Sequence, residues 1–140
     1  MRWRRRWCAV NNILSMLGLA RKAGRLEIGE EPVGAAARVH DARLILLASD
    51  AADNTRRRAK HFAETGACLL TQIGASKEEL GAAVGRTSCA MLAITDIGFA
   101  DAVAKKLAAL DAATYGELSQ RLSVKAARAA ERKDRKRAKK

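Results

Sequence analysis

Two hydrophobic rhythms alternate along the chain. Ile13, Leu14, Leu17 and Ala20 recur at helical spacing behind Asn11 and Asn12, either of which suits a helix N-cap, and Gly24 stands where a helix end favours positive φ. Residues 25–28 then read as a short strand closed by Gly29. A second helix is predicted from Glu30-Glu31-Pro32 through Ala35, Ala36 and Val39, because acids complement the dipole of a first turn and proline lacks only an N–H that such a turn leaves unpaired. The continuous apolar run Leu44-Ile45-Leu46-Leu47-Ala48 reads as a strand buried on both faces.

The alternation continues. Asp53 or Asn54 caps a third helix ending near Thr65, and residues 68–70 form a third strand. Ser76 and Glu79 have the spacing of a capping box that opens a fourth helix toward Gly85. Residues 89–94 give the last strand and residues 99–110 a further helix. Helices and strands in this order predict an α/β fold built from βαβ units, with helices on both faces of a four-stranded, largely parallel or mixed sheet.

The 140 residues, 49% of them hydrophobic, suffice for one ordinary domain and its core. Charge divides the chain further. Residues 1–7 hold four arginines and no acid, and residues 111–140 hold ten Lys and Arg against four Asp and Glu, so most of the net +12 lies at the two ends. The expected organisation is therefore a basic arm over residues 1–10, a nearly neutral domain over 11–110, and a basic tail over 111–140, partly helical or disordered. Such a balance favours polyanionic partners, nucleic acid before an anionic membrane surface. Charge in the arms is sequence-blind, so specific recognition has to come from the domain. Six phosphate contacts by the arms would lower affinity on the order of 10³-fold between about 50 and 200 mM salt.

Other chemistry is sparse. Cys8, Cys68 and Cys89 are odd in number and widely spaced, which suggests neither a disulfide framework nor a zinc site and fits a reducing cytoplasm. No apolar run approaches the roughly 20 residues of a membrane span. The arginine-rich start does not read as a signal peptide, because Asn11, Asn12 and Ser15 interrupt the apolar stretch and Arg21-Lys22 follows without a small-residue cleavage site. His40 and His61 have no triad or ligand spacing, and neither nucleotide-binding glycine motif is present. The expectation is a binding protein with no cofactor and no metal, not an enzyme. Asp50, Asp53 and Asp96 sit at or just beyond strand ends, where loop and cap duties compete with ligand binding.

Arg56, Arg57 and Arg58 open the third helix against the dipole and fan over about 200°, so they cannot all face one partner. Aromatics make up 4% of the chain, too few for a sheet on which single-stranded bases stack. Trp3 and Trp7 among the arginines are suited to stacking on bases or to a disordered arm.

Five segments in fixed order carry a family resemblance: residues 21–24 (Arg-Lys-Ala-Gly), Gly29 opening a helix, residues 48–51 (Ala-Ser-Asp-Ala), residues 76–85 from Ser76-Lys77 to Gly85, and residues 95–100 from Thr95-Asp96 to Ala100. Over residues 12–110 the chain resembles the kink-turn-binding ribosomal proteins of the large-subunit seven-Ae and thirty-e type. It is most similar to their bacterial YlxQ-like branch, which shares Gly29-Glu30-Glu31 and Asp50-x-x-x-Asn54-Thr55.

The resemblance implies a three-layer α-β-α sandwich that recognises structured RNA, a kink-turn or ribosomal RNA, in the cytoplasm, as a monomer and in association with the ribosome or with RNA processing. It assigns RNA contact to Gly29, Glu30 and Glu31 at the helix start, to Lys77 on a phosphate, and to Asp96, Ile97 and Gly98 against stacked nucleotides. Lys22 and Arg25 join them as neighbouring cations. Three positions depart from the ribosomal pattern: Glu31, Pro32 and Ala35 stand where those proteins carry Asn, Glu and Lys, which removes donors. The competing expectation is a protein-interaction or scaffold domain with the same fold, whose basic arms dock on ribosome, DNA or membrane.

Overall fold

The computed structural model describes the backbone of residues 2–110 and 112–138 and the side chains of residues 12–109, 116, 117 and 119–132. The elements follow as α1 (Arg2–Lys22), β1 (Leu26–Ile28), α2 (Glu30–Arg38), β2 (Leu44–Leu47), α3 (Asp53–Gly66), β3 (Leu69–Gln72), α4 (Lys77–Ala83), β4 (Met91–Ile94), α5 (Ile97–Leu110) and α6 (Ala112–Ala138). The expected capping box forms: the Ser76 hydroxyl accepts the Glu79 N–H at 3.2 Å, and the Glu79 carboxylate accepts the Ser76 N–H.

Strand periodicity of two divides the core. Leu44, Leu46, Leu92 and Ile94 point to one face, where they are buried with Leu17 of α1, Leu80 of α4, and Val103 and Leu107 of α5. Ile45, Leu47, Met91 and Ala93 point to the other, against Val33 and Ala36 of α2 and Ala59 of α3. Both faces are covered, so the two central strands are apolar throughout. The result is the three-layer α-β-α sandwich.

The sheet order is β1-β4-β2-β3. Among the described strands β2 and β3, joined across α3, form the parallel pair, whereas β4 runs antiparallel to both β1 and β2. The sheet is mixed, and the largely parallel alternative does not hold. A strand flanked on both edges and covered on both faces reads as an unbroken apolar run whichever way it points. Met91-Leu92-Ala93-Ile94 therefore carried no sign of its direction.

The tail does not stand apart from the domain throughout its length. α6 folds back along α5, and Leu122 is fully buried in the same cluster as Leu92 and Leu107. The basic start of the chain is continuous with α1. Among the described residues no helix is long and apolar enough to cross a membrane.

Candidate nucleic-acid interface

Strand direction decides which loops meet. β1, β2 and β3 end at one pole of the sheet, and β4 begins there. The connection after β1, the segments after β2 and β3, and the loop before β4 therefore share that pole. Backbone hydrogen bonds knit them together. Gly29 N–H donates to the Met91 carbonyl at 3.0 Å, Ala48 N–H to Ala90 at 3.0 Å, Ser49 N–H to Ala75 at 2.9 Å and Cys89 N–H to Lys77 at 2.9 Å.

At the β1 edge of this pole is the start of α2. Gly29 has φ 97° and ψ 164°, a conformation essentially reserved for glycine, and it turns the chain from β1 directly into the helix. The first N–H groups of α2 have no intrahelical partner, and the helix dipole places partial positive charge there, which suits an anion. The two acids that follow have different fates. The Glu30 carboxylate accepts from the Thr55 hydroxyl at 3.3 Å and pairs with Arg58 at 2.5 Å, both on α3. Glu31 is exposed and, among the described residues, makes no side-chain hydrogen bond or ion pair. Arg58 thus serves an internal contact, which accounts for one of the three arginines that run against the α3 dipole.

Lys77 stands at the same pole, with its N–H held by the Asp50 carboxylate at 2.9 Å. Asp50 has a loop-bracing duty, tying the segment after β2 to the start of α4. The loop over residues 85–90 completes the pole. Burial pushes the Cys89 thiol up from its ordinary range, and the nearby Arg86 cation opposes that rise.

Not all the residues expected at the site meet. Gly29, Glu30, Glu31 and Lys77 converge. Lys22, Arg25, Asp96, Ile97 and Gly98 lie at the opposite pole, where Thr95 N–H donates to the Arg25 carbonyl at 3.0 Å. Asp96 caps α5 there, its carboxylate accepting the Phe99 N–H at 3.1 Å, and Ile97 is half-buried. The reason is the antiparallel β4. In a parallel sheet the loop after β4 would join the loop after β1; here the loop before β4 takes that place. Residues 86–90 were consequently missed, although Arg86, Thr87 and Ser88 between Gly85 and the apolar strand carry polar-loop character. Trp3, Trp7 and residues 133–140 lie outside the described side chains.

Burial also pushes the Cys68 thiol up, against the opposing charge of Lys125. A raised thiol pKa stabilises the fold below the unfolded value of about 8.5, and that contribution is lost as pH rises through the folded value. The melting temperature is therefore expected to fall, as pH rises above about 8.5, more steeply in the parent than in Cys68→Ala/Cys89→Ala. Parallel pH profiles from thermal melts would contradict it. Among the described residues no group of three or more His, Cys, Asp and Glu is placed to hold a metal ion.

Known proteins share the family and the fold. The chain is 33% identical over 90 residues to RNA-binding protein YlxQ of Bacillus subtilis (strain 168), covering 61% of this chain and 85% of that protein. A Bacillus halodurans C protein of unknown function superposes with a TM-score of 0.62 at 30% identity, covering 67% of this chain and 94% of that one. A Giardia lamblia 15.5kD RNA binding protein shares the fold with a TM-score of 0.58 at 18% identity, covering 74% of this chain and 88% of that one. The model of the ribosomal protein L7Ae/L30e/S12e/Gadd45 family matches residues 11–104, from within α1 into α5 and through every loop of the Gly29 pole, and the chain belongs to that family.

Proposed function

We propose that this protein binds structured RNA at the Gly29 pole, recognising a bent, kink-turn-like stem in a ribosome-associated or RNA-processing role in the cytoplasm. The observation that carries this reading is the convergence of a glycine-opened helix start, Lys77 and the 85–90 loop on one pole, in a family with RNA-binding relatives. The exposed N–H groups of α2 receive a phosphate, Lys77 supplies a second phosphate contact, and the Glu31 carboxylate accepts from a guanine edge. Glu30, engaged by Thr55 and Arg58, orients the start of α2 from behind.

The test is a paired titration in about 150 mM salt, with a kink-turn RNA carrying tandem G·A pairs against a straight duplex of equal length. A preference of at least about tenfold for the kinked RNA, equivalent to roughly 1.4 kcal/mol, is expected. Lys77→Ala should weaken both RNAs, while Glu31→Ala should erode the preference. Equal binding of the two RNAs by the parent protein would refute the reading.

A further inference from the structure

The basic tail carries a second feature, at the pole opposite Gly29. A groove of about 390 Å³ opens between α6 and the ends of α2 and α3, lined on the α6 side by Lys125, Arg128 and Arg132 and on the domain side by Arg43 and His40. These are not scattered charges. At about 100° per residue, positions 122, 125, 128, 129 and 132 fall within roughly 120° of one another on the helix. The stripe begins with Leu122, which is fully buried, so the face that turns cationic is the one that packs inward a turn earlier. Lys125 lines the groove together with Cys68 of the domain, which sets that face toward the domain.

The opposite wall is rigidly built. His40 has φ 60°, in the left-handed region, and its Nδ1 hydrogen-bonds the Gly66 carbonyl at 3.2 Å, tying the turn after α2 to the end of α3. Arg43 N–H donates to the Ile94 carbonyl at 2.8 Å, seating that residue at the foot of the two central strands. Four permanent cations thus line one groove. Among the described residues none of them is in an ion pair; the sequence-adjacent acids Asp41 and Glu131 are exposed and pair with none of them. Like charges held along one groove repel one another, and a polyanion entering it relieves that repulsion.

We propose that this groove is a second, sequence-blind RNA site that grips the sugar–phosphate backbone of a helical segment distinct from the one met at the Gly29 pole. The occupant follows from the lining: cations at successive turns of one helix face match a run of phosphates, no Phe, Tyr or Trp among the described residues lines the groove for base stacking, and the His40 ring is tied to the Gly66 carbonyl. The segment that supplies three of the cations lies beyond residues 11–104, so the site is an addition to the family domain. The protein would then hold two RNA segments at opposite ends of one sheet.

The experiment compares the full-length parent with Lys125→Gln/Arg128→Gln/Arg132→Gln, using a straight 12-base-pair RNA duplex titrated from about 50 to 200 mM KCl. A matched control, Arg38→Gln/Arg57→Gln/Lys60→Gln, removes the same charge from exposed positions outside the groove. The groove variant is expected to bind at least about tenfold more weakly at 100 mM, with a log–log salt slope shallower by about two to three, while the control shifts less than threefold. Arg43→Glu, which alters the groove from the domain side and leaves α6 intact, is expected to weaken the duplex about fivefold. Equal losses in groove and control variants, or binding within twofold of the parent for both Lys125→Gln/Arg128→Gln/Arg132→Gln and Arg43→Glu, would overturn the proposal. The readout is independent of the Gly29 pole: a missing kinked-over-straight preference with the groove effect intact removes only the first site.

Discussion

Leu92→Ala is expected to lower the unfolding free energy by about 2–5 kcal/mol, the range for emptying a well-packed leucine site. Leu92 is fully buried in the middle of β4, with Ile28 of β1 and Leu46 of β2 as its ladder partners on either side. Its side chain belongs to the cluster that joins α1, α4, α5 and α6 to the sheet, so the surrounding helices cannot all move in to close the space. Against a total stability on the order of 5–15 kcal/mol this is a large fraction, and at roughly 4 °C per kcal/mol the midpoint should drop by about 8–20 °C. Thermal melts followed by circular dichroism measure it directly. A drop under about 3 °C would mean that β4 is not the central strand described here, and with it the reasoning that places the 85–90 loop beside Gly29.

Gly81→Ala tests that loop. Gly81 is buried within α4, and a Cβ built there would lie 2.7 Å from Ser88 Cα, 2.8 Å from Ser88 N and 2.9 Å from the Arg86 carbonyl oxygen. These are backbone atoms, so no side-chain rotation relieves the clash. Two effects oppose each other. Alanine favours a helix interior over glycine by up to about 1 kcal/mol, whereas overpacking a tight site costs typically 1–3 kcal/mol. The clash wins, and the segment 86–88 must move outward, away from Lys77 and Gly29. The expected result is a modest fall in stability together with at least a tenfold loss of affinity for the kinked RNA. Gly116→Ala in α6 is the contrast, because nothing lies within 4 Å of a Cβ there and only the helix preference remains. It should leave binding unchanged and raise stability by up to about 1 kcal/mol. If Gly81→Ala behaves like Gly116→Ala in both melts and titrations, the loop plays no part in recognition.

The two substitutions also mark how far the residues alone carry. Most elements between α1 and α5 were legible from local signals: a capping box at Ser76 and Glu79, acids and proline opening α2, a glycine turning β1 into α2, and apolar runs for β2 and β4. The helix starts expected at Asn11 or Asn12 and at a cap of Asp53 or Asn54 differ, because α1 already begins at Arg2 and α3 opens from Ala52 with no side-chain cap. That Gly29, Glu31 and Lys77 share one pole was legible because the first two are neighbours and all three follow strand ends. Glu30 looked equivalent to Glu31, and only the approach of α3 separated them, by bringing Thr55 and Arg58 onto one carboxylate.

The residues alone set the succession of helices and strands, the covering of β2 on both faces, and the excess of cations at the two ends. These follow from side-chain periodicity and charge, properties that each segment carries independently of its neighbours. The direction of β4 was decided only by tertiary structure, because a strand between two partners and two helical layers is apolar whichever way it runs. That one direction moved Asp96, Ile97 and Gly98 to the far pole and put residues 86–90 beside Gly29. The return of α6 was decided in the same way. Its basic residues read as a solvated tail until Leu122 is buried against α5, and that contact sets Lys125, Arg128 and Arg132 along a groove whose other side carries Arg43.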